Sequence, residues 1–113
     1  MRQRHPTAFQ MRVYEATVCI PRGCVTTYGL LARLAGCASP RAVGQALKRN
    51  PFAPRVPCHR VIASDLTIGG FRGRRSGASI RRKLALLAGE GVRFDKGRLA
   101  EPSRVFRFGQ DAA

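Results

Sequence analysis

The stretch TTYGLLARLAGCASPRAVGQALKRN, Thr26 to Asn50, decides the fold. Thr26 and Thr27 can each open a helix by offering a hydroxyl to its free N–H groups, and Leu30, Leu31 and Leu34 follow at helical spacing. Gly36 is the expected end of that helix. Ser39-Pro40 is a second start signal, a capping serine followed by proline at the first helical position. This helix is expected to run to Asn50, because the residue before Pro51 is disfavoured in helical geometry. Two short helices joined at Gly36-Cys37-Ala38 read as a helix-turn-helix.

Two residues of this pair stand out. Tyr28 falls in the first turn of its helix, where a tyrosine is ordinarily a half-buried packing residue. Arg41 falls in the first turn of the second helix, the end that already carries partial positive charge. Either the arginine is simply solvated there, or it is held out for an anionic partner.

On the N-terminal side, Thr7 and Gln10 form a capping-box pattern ahead of Phe9, Val13, Ala16 and Ile20. Pro21-Arg22-Gly23 should stop that helix, and Met1 to Pro6 reads as a flexible basic arm. On the C-terminal side come Asn50-Pro51, a five-residue spacer, and Val56-Pro57-Cys58-His59-Arg60-Val61-Ile62. The thiolate is the nucleophilic form of cysteine, and a nearby histidine is the usual group for generating it. Free cysteines are also among the most buried residues, and along an extended backbone Cys58 and His59 need not touch. A bridging water could then carry the proton. Packing and catalytic readings of the pair both stand at this point.

Further on, Val61-Ile62-Ala63 and Leu66-Thr67-Ile68 suggest a hairpin around Ser64-Asp65, and 69–77 is a Gly/Arg-rich loop expected to be mobile. A fourth helix should start near Ser76 or Ser79, turn Ile80, Leu84 and Leu87 inward, and end at Gly89-Glu90-Gly91. Val92 to Leu99 suggests a last hairpin, and the tail from Glu101 has no clear assignment. Glu90 is oddly placed, since a carboxylate near a helix C-terminus opposes the dipole. It is either an exposed residue at a frayed end or a partner that orients the His59 ring.

The chain has 113 residues, the size of one domain, with an expected core over about 7–94. Lys and Arg total 21 against 6 acids, a formal charge of +15 that favours a polyanionic partner, nucleic acid above all. An anionic membrane is the alternative, but no long apolar run or basic amphipathic anchor supports it. Cys19, Cys24, Cys37 and Cys58 lack paired zinc spacing and only two histidines are present, so no metal and no cofactor are expected. Without a signal-peptide pattern, the thiols are expected to be reduced in a cytosolic setting. The fold class is mainly α with small β hairpins, a helix-turn-helix of winged-helix-like type.

Pro57-Cys58-His59-Arg60-Val61, preceded by Arg41-Ala42-Val43-Gly44 and Asn50-Pro51, closely resembles the active-site region of the O6-alkylguanine-DNA alkyltransferases. The resemblance runs from about Phe9 to Gly91. It implies stoichiometric transfer of an alkyl group from O6-alkylguanine to Cys58, after the base is flipped from the minor groove of double-stranded DNA. It further implies that Asn50 braces the active-site turn, that His59 and Glu90 are the base and its orienting acid, and that Arg41 fills the space the base vacates. Tyr28 would help rotate the nucleotide. Ala42, Lys48, Arg60 and Ser64 would join Arg41 and Tyr28 at the DNA. Tyr28, Pro57, Val61, Phe71, Arg72 and Lys83 would form the substrate pocket, with backbone groups around Cys58 to Val61 reading the guanine edge.

The chain departs from the family pattern in two ways. Phe71-Arg72 stand where the family commonly has a tyrosine and a small residue, and the run from Phe71 to Lys83 is several residues longer. The family's N-terminal domain has no counterpart, a short format shared with alkyltransferase-like proteins. Those bind alkylated DNA without repairing it, would recruit partners such as nucleotide-excision-repair proteins, and carry another residue, often tryptophan, in place of the cysteine. Retention of Cys58 favours the enzyme. The protein is expected to act as a monomer, on the nucleoid of a bacterial cytoplasm or in a nucleus.

Overall fold

A computed structural model describes residues 6–37 and 39–108. In chain order they form α1 (Ala8–Val18), β1 (Thr26–Thr27), α2 (Tyr28–Leu34), α3 (Pro40–Lys48), a one-turn 3-10 helix (Cys58–Arg60) and β2 (Val61–Ile62). There follow α4 (Ala78–Gly89), the strands β3 (Phe94–Asp95) and β4 (Arg98–Leu99), and a second 3-10 turn (Pro102–Arg104). The arm over Met1 to His5 and the joint residue Ala38 lie outside the described residues.

The helix starts follow from their caps. Thr7 and Gln10 close the capping box of α1, Thr27 caps α2 through the Leu30 N–H, and Ser39 caps α3 through the Ala42 N–H. Each such cap contributes about 1 kcal/mol. The ends are shorter than expected. α3 stops at Lys48, and Ile20, though buried, lies beyond the end of α1.

α2 and α3 form the helix-turn-helix and pack on α1. Their shared core holds Val13 and Tyr14 of α1, Leu31 and Ala32 of α2, and Val43, Ala46 and Leu47 of α3. Two polar bonds fix the docking: Tyr14 Oη donates to Ala46 O at 2.7 Å, and Arg12 Nε donates to Ala35 O at 3.1 Å. Leu34, expected on the apolar face of α2, is 51% exposed, because Leu31 and Ala32 take the core-facing positions of this short helix.

The first expected hairpin does not form. Val61-Ile62 instead pair in parallel with Thr26-Thr27, and all four residues are buried. Residues 63–67 make only a turn, with Ala63 N–H on Thr67 O and Asp65 Oδ1 accepting from the Thr67 N–H and hydroxyl. The last hairpin, β3 with β4, is antiparallel as expected. The core also runs past residue 94: Leu99 and Val105 join Val25, Ile62, Leu87 and Val92 in a second cluster. The tail returns to the fold through a Val25–Val105 bridge.

Candidate active site and nucleic-acid interface

Asn50 organises the approach to Cys58. Its Nδ2 donates to Val56 O at 3.0 Å, and its Oδ1 accepts from the Phe52 N–H at 2.9 Å, so one side chain spans the spacer. Cys58 N–H then bonds Val56 O, and Val61 N–H bonds Cys58 O, which winds Cys58-His59-Arg60 into a single 3-10 turn. The backbone is therefore not extended here. In a three-residue turn, successive side chains diverge by about a third of a revolution, so Cys58 and His59 still face different ways.

His59 turns toward the end of α4. Its Nε2 lies 2.9 Å from Glu90 Oε2, and the two side chains are 12% and 11% exposed. Glu90 stands at the C-cap of α4, where the dipole alone would repel it. Burial pushes the Glu90 carboxyl up, but hydrogen bonds and charge from Arg60 and His59 outweigh it and hold the pKa below the usual 4.5. The ionised carboxylate can only accept, so His59 donates from Nε2, and in a neutral ring Nδ1 is the acceptor. No hydrogen bond joins Cys58 Sγ to His59 among the described residues.

Arg60, expected at the DNA, is turned inward. Its Nε and Nη2 bond both Glu90 oxygens at 2.9 Å, while Nη1 donates to Ile20 O at 2.8 Å. This bidentate pair is what makes a carboxylate tolerable at the end of α4. Sequence reasoning missed it; the one signal was the shortage of acids able to pair with so many arginines.

Cys58 opens onto a cleft of about 950 Å³ between α3 and the 63–75 segment. Of the expected residues, Tyr28, Arg41, Lys48, Cys58, Ser64, Phe71 and Arg72 line it. Pro57, Val61 and Lys83 are buried and outside the lining, and Ala42 is a half-buried residue also outside it. Gly69, Gly70, Arg74 and Arg75 also line the cleft and were not anticipated. A Cβ on Gly69, whose φ is +71°, would stand 3.1 Å from the Tyr28 ring, so the glycine at that position lets the ring in; the Gly-Gly pair was the available signal.

Lys83 is the polar brace of the wall. It is fully buried, and its Nζ donates to Val61 O at 2.7 Å, Ile68 O at 2.6 Å and Gly70 O at 2.8 Å. Three carbonyls match the three protons of an ammonium. Burial pushes its pKa down to about 7, opposed by the nearby Cys58. Tyr28 Oη donates to the same Gly70 O at 3.1 Å, and burial, aided by Cys58, raises the phenol to about 12 against a smaller opposing pull from Arg75. The Val61 carbonyl expected to read guanine thus already holds one donor. Among the described residues no cluster of His, Cys, Asp and Glu could hold a metal ion, and no helix is long and apolar enough to cross a membrane.

Residues 8–92 match the profile of the 6-O-methylguanine DNA methyltransferase DNA-binding domain. A methylated-DNA–protein-cysteine methyltransferase of Methanothermobacter thermautotrophicus is 45% identical over 86 residues, covering 76% of this chain and 46% of that protein. The chain spans about half the length of the curated relatives it matches. S. pombe Atl1, solved in complex with damaged DNA containing O6-carboxymethylguanine, superposes with a TM-score of 0.77 at 35% identity, over 91% of this chain and 98% of that one. Mycobacterium tuberculosis OGT in complex with DNA gives a TM-score of 0.66 at 42% identity, over 76% of this chain and 51% of that chain.

Proposed function

Because this chain belongs to the 6-O-methylguanine DNA methyltransferase family through its DNA-binding domain, we propose that it repairs O6-alkylguanine in duplex DNA by direct, single-turnover transfer of the alkyl group to Cys58. The observation that carries the reading is the juxtaposition of Cys58, on the wall of a cleft rimmed by Arg41 and Lys48, with a His59–Glu90 pair behind it.

Each residue has a part in this reaction. α3 enters the minor groove, Arg41 takes the place of the extruded guanine, and Tyr28 contacts the turned nucleotide. His59, oriented by Glu90, accepts the Cys58 proton at Nδ1 through a bridging water. The thiolate sulfur attacks the alkyl carbon, an S–C bond forms, and the C–O6 bond breaks with its electron pair left on guanine. The proton held by His59 returns to the base, which restores guanine. The product is a thioether that does not hydrolyse, so each molecule acts once. Arg60 and Asn50 are positioning residues: one holds Glu90, the other the turn that carries Cys58. Lys83 and Phe71 support the cleft wall. The protein acts as a monomer, without metal or cofactor, on the nucleoid or in a nucleus.

Intact mass after mixing with a duplex carrying O6-methylguanine tests this directly. The mass should rise by one methyl replacing one hydrogen, located on Cys58 and not on Cys19, Cys24 or Cys37, and product should never exceed protein. Cys58→Ser should abolish transfer and keep DNA binding. Tight binding to the alkylated duplex with no change in mass would overturn the enzyme reading. It would favour a sensor that flips alkylguanine and recruits excision-repair proteins, a reading for which the fold likeness to Atl1, solved with damaged DNA, is the one supporting observation.

A further inference from the structure

The Gly/Arg-rich run after Phe71 is a built element. Phe71 N–H bonds Arg74 O at 2.8 Å and Arg74 N–H bonds Phe71 O at 2.9 Å, which closes a two-residue hairpin turn over Arg72-Gly73. Both central residues have positive φ, 53° and 80°, as a type I′ turn requires. Glycine adopts that geometry freely, whereas an arginine there costs about 1–2 kcal/mol. The turn thus holds a strained arginine at its tip in water. Arg72 lies 5.3 Å above the ring of Phe71, which is buried in the wall.

The turn also reaches α3. A Cβ on Gly73 would stand 2.8 Å from Lys48 Cε and 3.1 Å from its Cδ, so the Lys48 stem runs across the turn. Arg75 packs its stem beside Gly70, and its charge is felt at the Tyr28 hydroxyl. Arg72, Arg74 and Arg75 are exposed and line the cleft, as does Lys48. None of the four forms a salt bridge with a carboxylate among the described residues. Like charges gathered at one rim repel one another, and the arrangement makes sense when an anion fills the space between them.

We infer that the Arg72–Arg75 turn and Lys48 form a clamp for backbone phosphates of the strand that delivers a nucleotide to the cleft. The inference rests on the function proposed above and adds a binding element to it. Guanidinium groups suit phosphate oxygens, and the Lys48–Gly73 contact ties the clamp to the helix that docks on DNA.

Salt-dependent binding tests the clamp, measured in Cys58→Ser protein on a duplex with O6-methylguanine and on the same duplex unmodified. In Arg74→Gln/Arg75→Gln, the log–log salt slope should fall by about 0.9 for each phosphate released, so by about 1–2 in all. The lysine pair, Arg74→Lys/Arg75→Lys, should keep the slope. Arg93→Gln/Lys96→Gln removes the same charge outside the cleft lining and should also keep it. An unchanged slope in the first pair, an equal fall in the remote pair, or an equal fall in the lysine pair would each overturn the clamp. An unchanged mass of the wild-type protein after mixing with the O6-methylguanine duplex would instead overturn the proposed function, and the slopes of the variants would still decide the clamp.

Discussion

Glu90 is acceptable at the end of α4 only because of what faces it. The helix dipole and burial both work against its charge, while two guanidinium bonds from Arg60 and one from His59 work for it. Glu90→Gln removes the charge and leaves a part-buried arginine without a counterion, so chemical denaturation at neutral pH should register a loss of about 1–3 kcal/mol. The folded pKa of Glu90 lies below 4.5, so its contribution is fully present above that pH and is lost as pH falls through the folded value. The stability gap between wild type and Glu90→Gln should therefore close in acid, and an unchanging gap would mean that its charge is not what matters. In transfer assays the same variant should slow the reaction and shift its pH–rate profile. Slower transfer with an unmoved profile would assign Glu90 to structure alone.

The element proposed to meet DNA is α3, and its first turn carries the cation a helix would not choose. Arg41 is exposed, lines the cleft and has no carboxylate in salt-bridge range among the described residues. If it replaces the extruded base, Arg41→Ala should slow repair of duplex substrate while sparing attack on free O6-benzylguanine. Unreplaced stacking and pairing cost a few kcal/mol, so the two rates should separate by about tenfold or more. Tyr28→Phe should do less to repair, since it removes one hydroxyl whose present bond is to Gly70 O. Equal losses on both substrates in Arg41→Ala would assign the arginine to folding or general binding.

The whole molecule carries +15, and its cleft rim is cationic. Association with any duplex should release counterions and weaken as salt rises, with a log–log slope near 0.9 per phosphate neutralised. Between about 50 and 200 mM salt, affinity for an unmodified duplex should fall at least about tenfold, as fluorescence anisotropy can measure. A flat response would remove DNA as the partner. The same charge works against compactness, and the two buried clusters and the returning tail offset it.

The helix-turn-helix was legible in the sequence because its determinants are local. Thr27, Ser39-Pro40 and the Thr7–Gln10 box act within a single turn, and the leucine and valine spacing repeats within each helix. Asn50, Cys58, His59 and Glu90 were singled out through the spacing of short motifs and their family resemblance, and of these the fold brings His59 and Glu90 into contact. Tertiary structure alone decided what pairs across distance. Two-residue strands have no periodicity to read, so the parallel pairing of Thr26-Thr27 with Val61-Ile62 was invisible. Arg60 could have faced solvent or any acid, and only the packing of α4 delivers Glu90 to it. Lys83 sits on a basic helix like its neighbours Arg81 and Arg82, yet three carbonyls converge on it alone. A charged side chain takes the partner that the fold brings within reach, and that choice is made by contacts far apart in the chain.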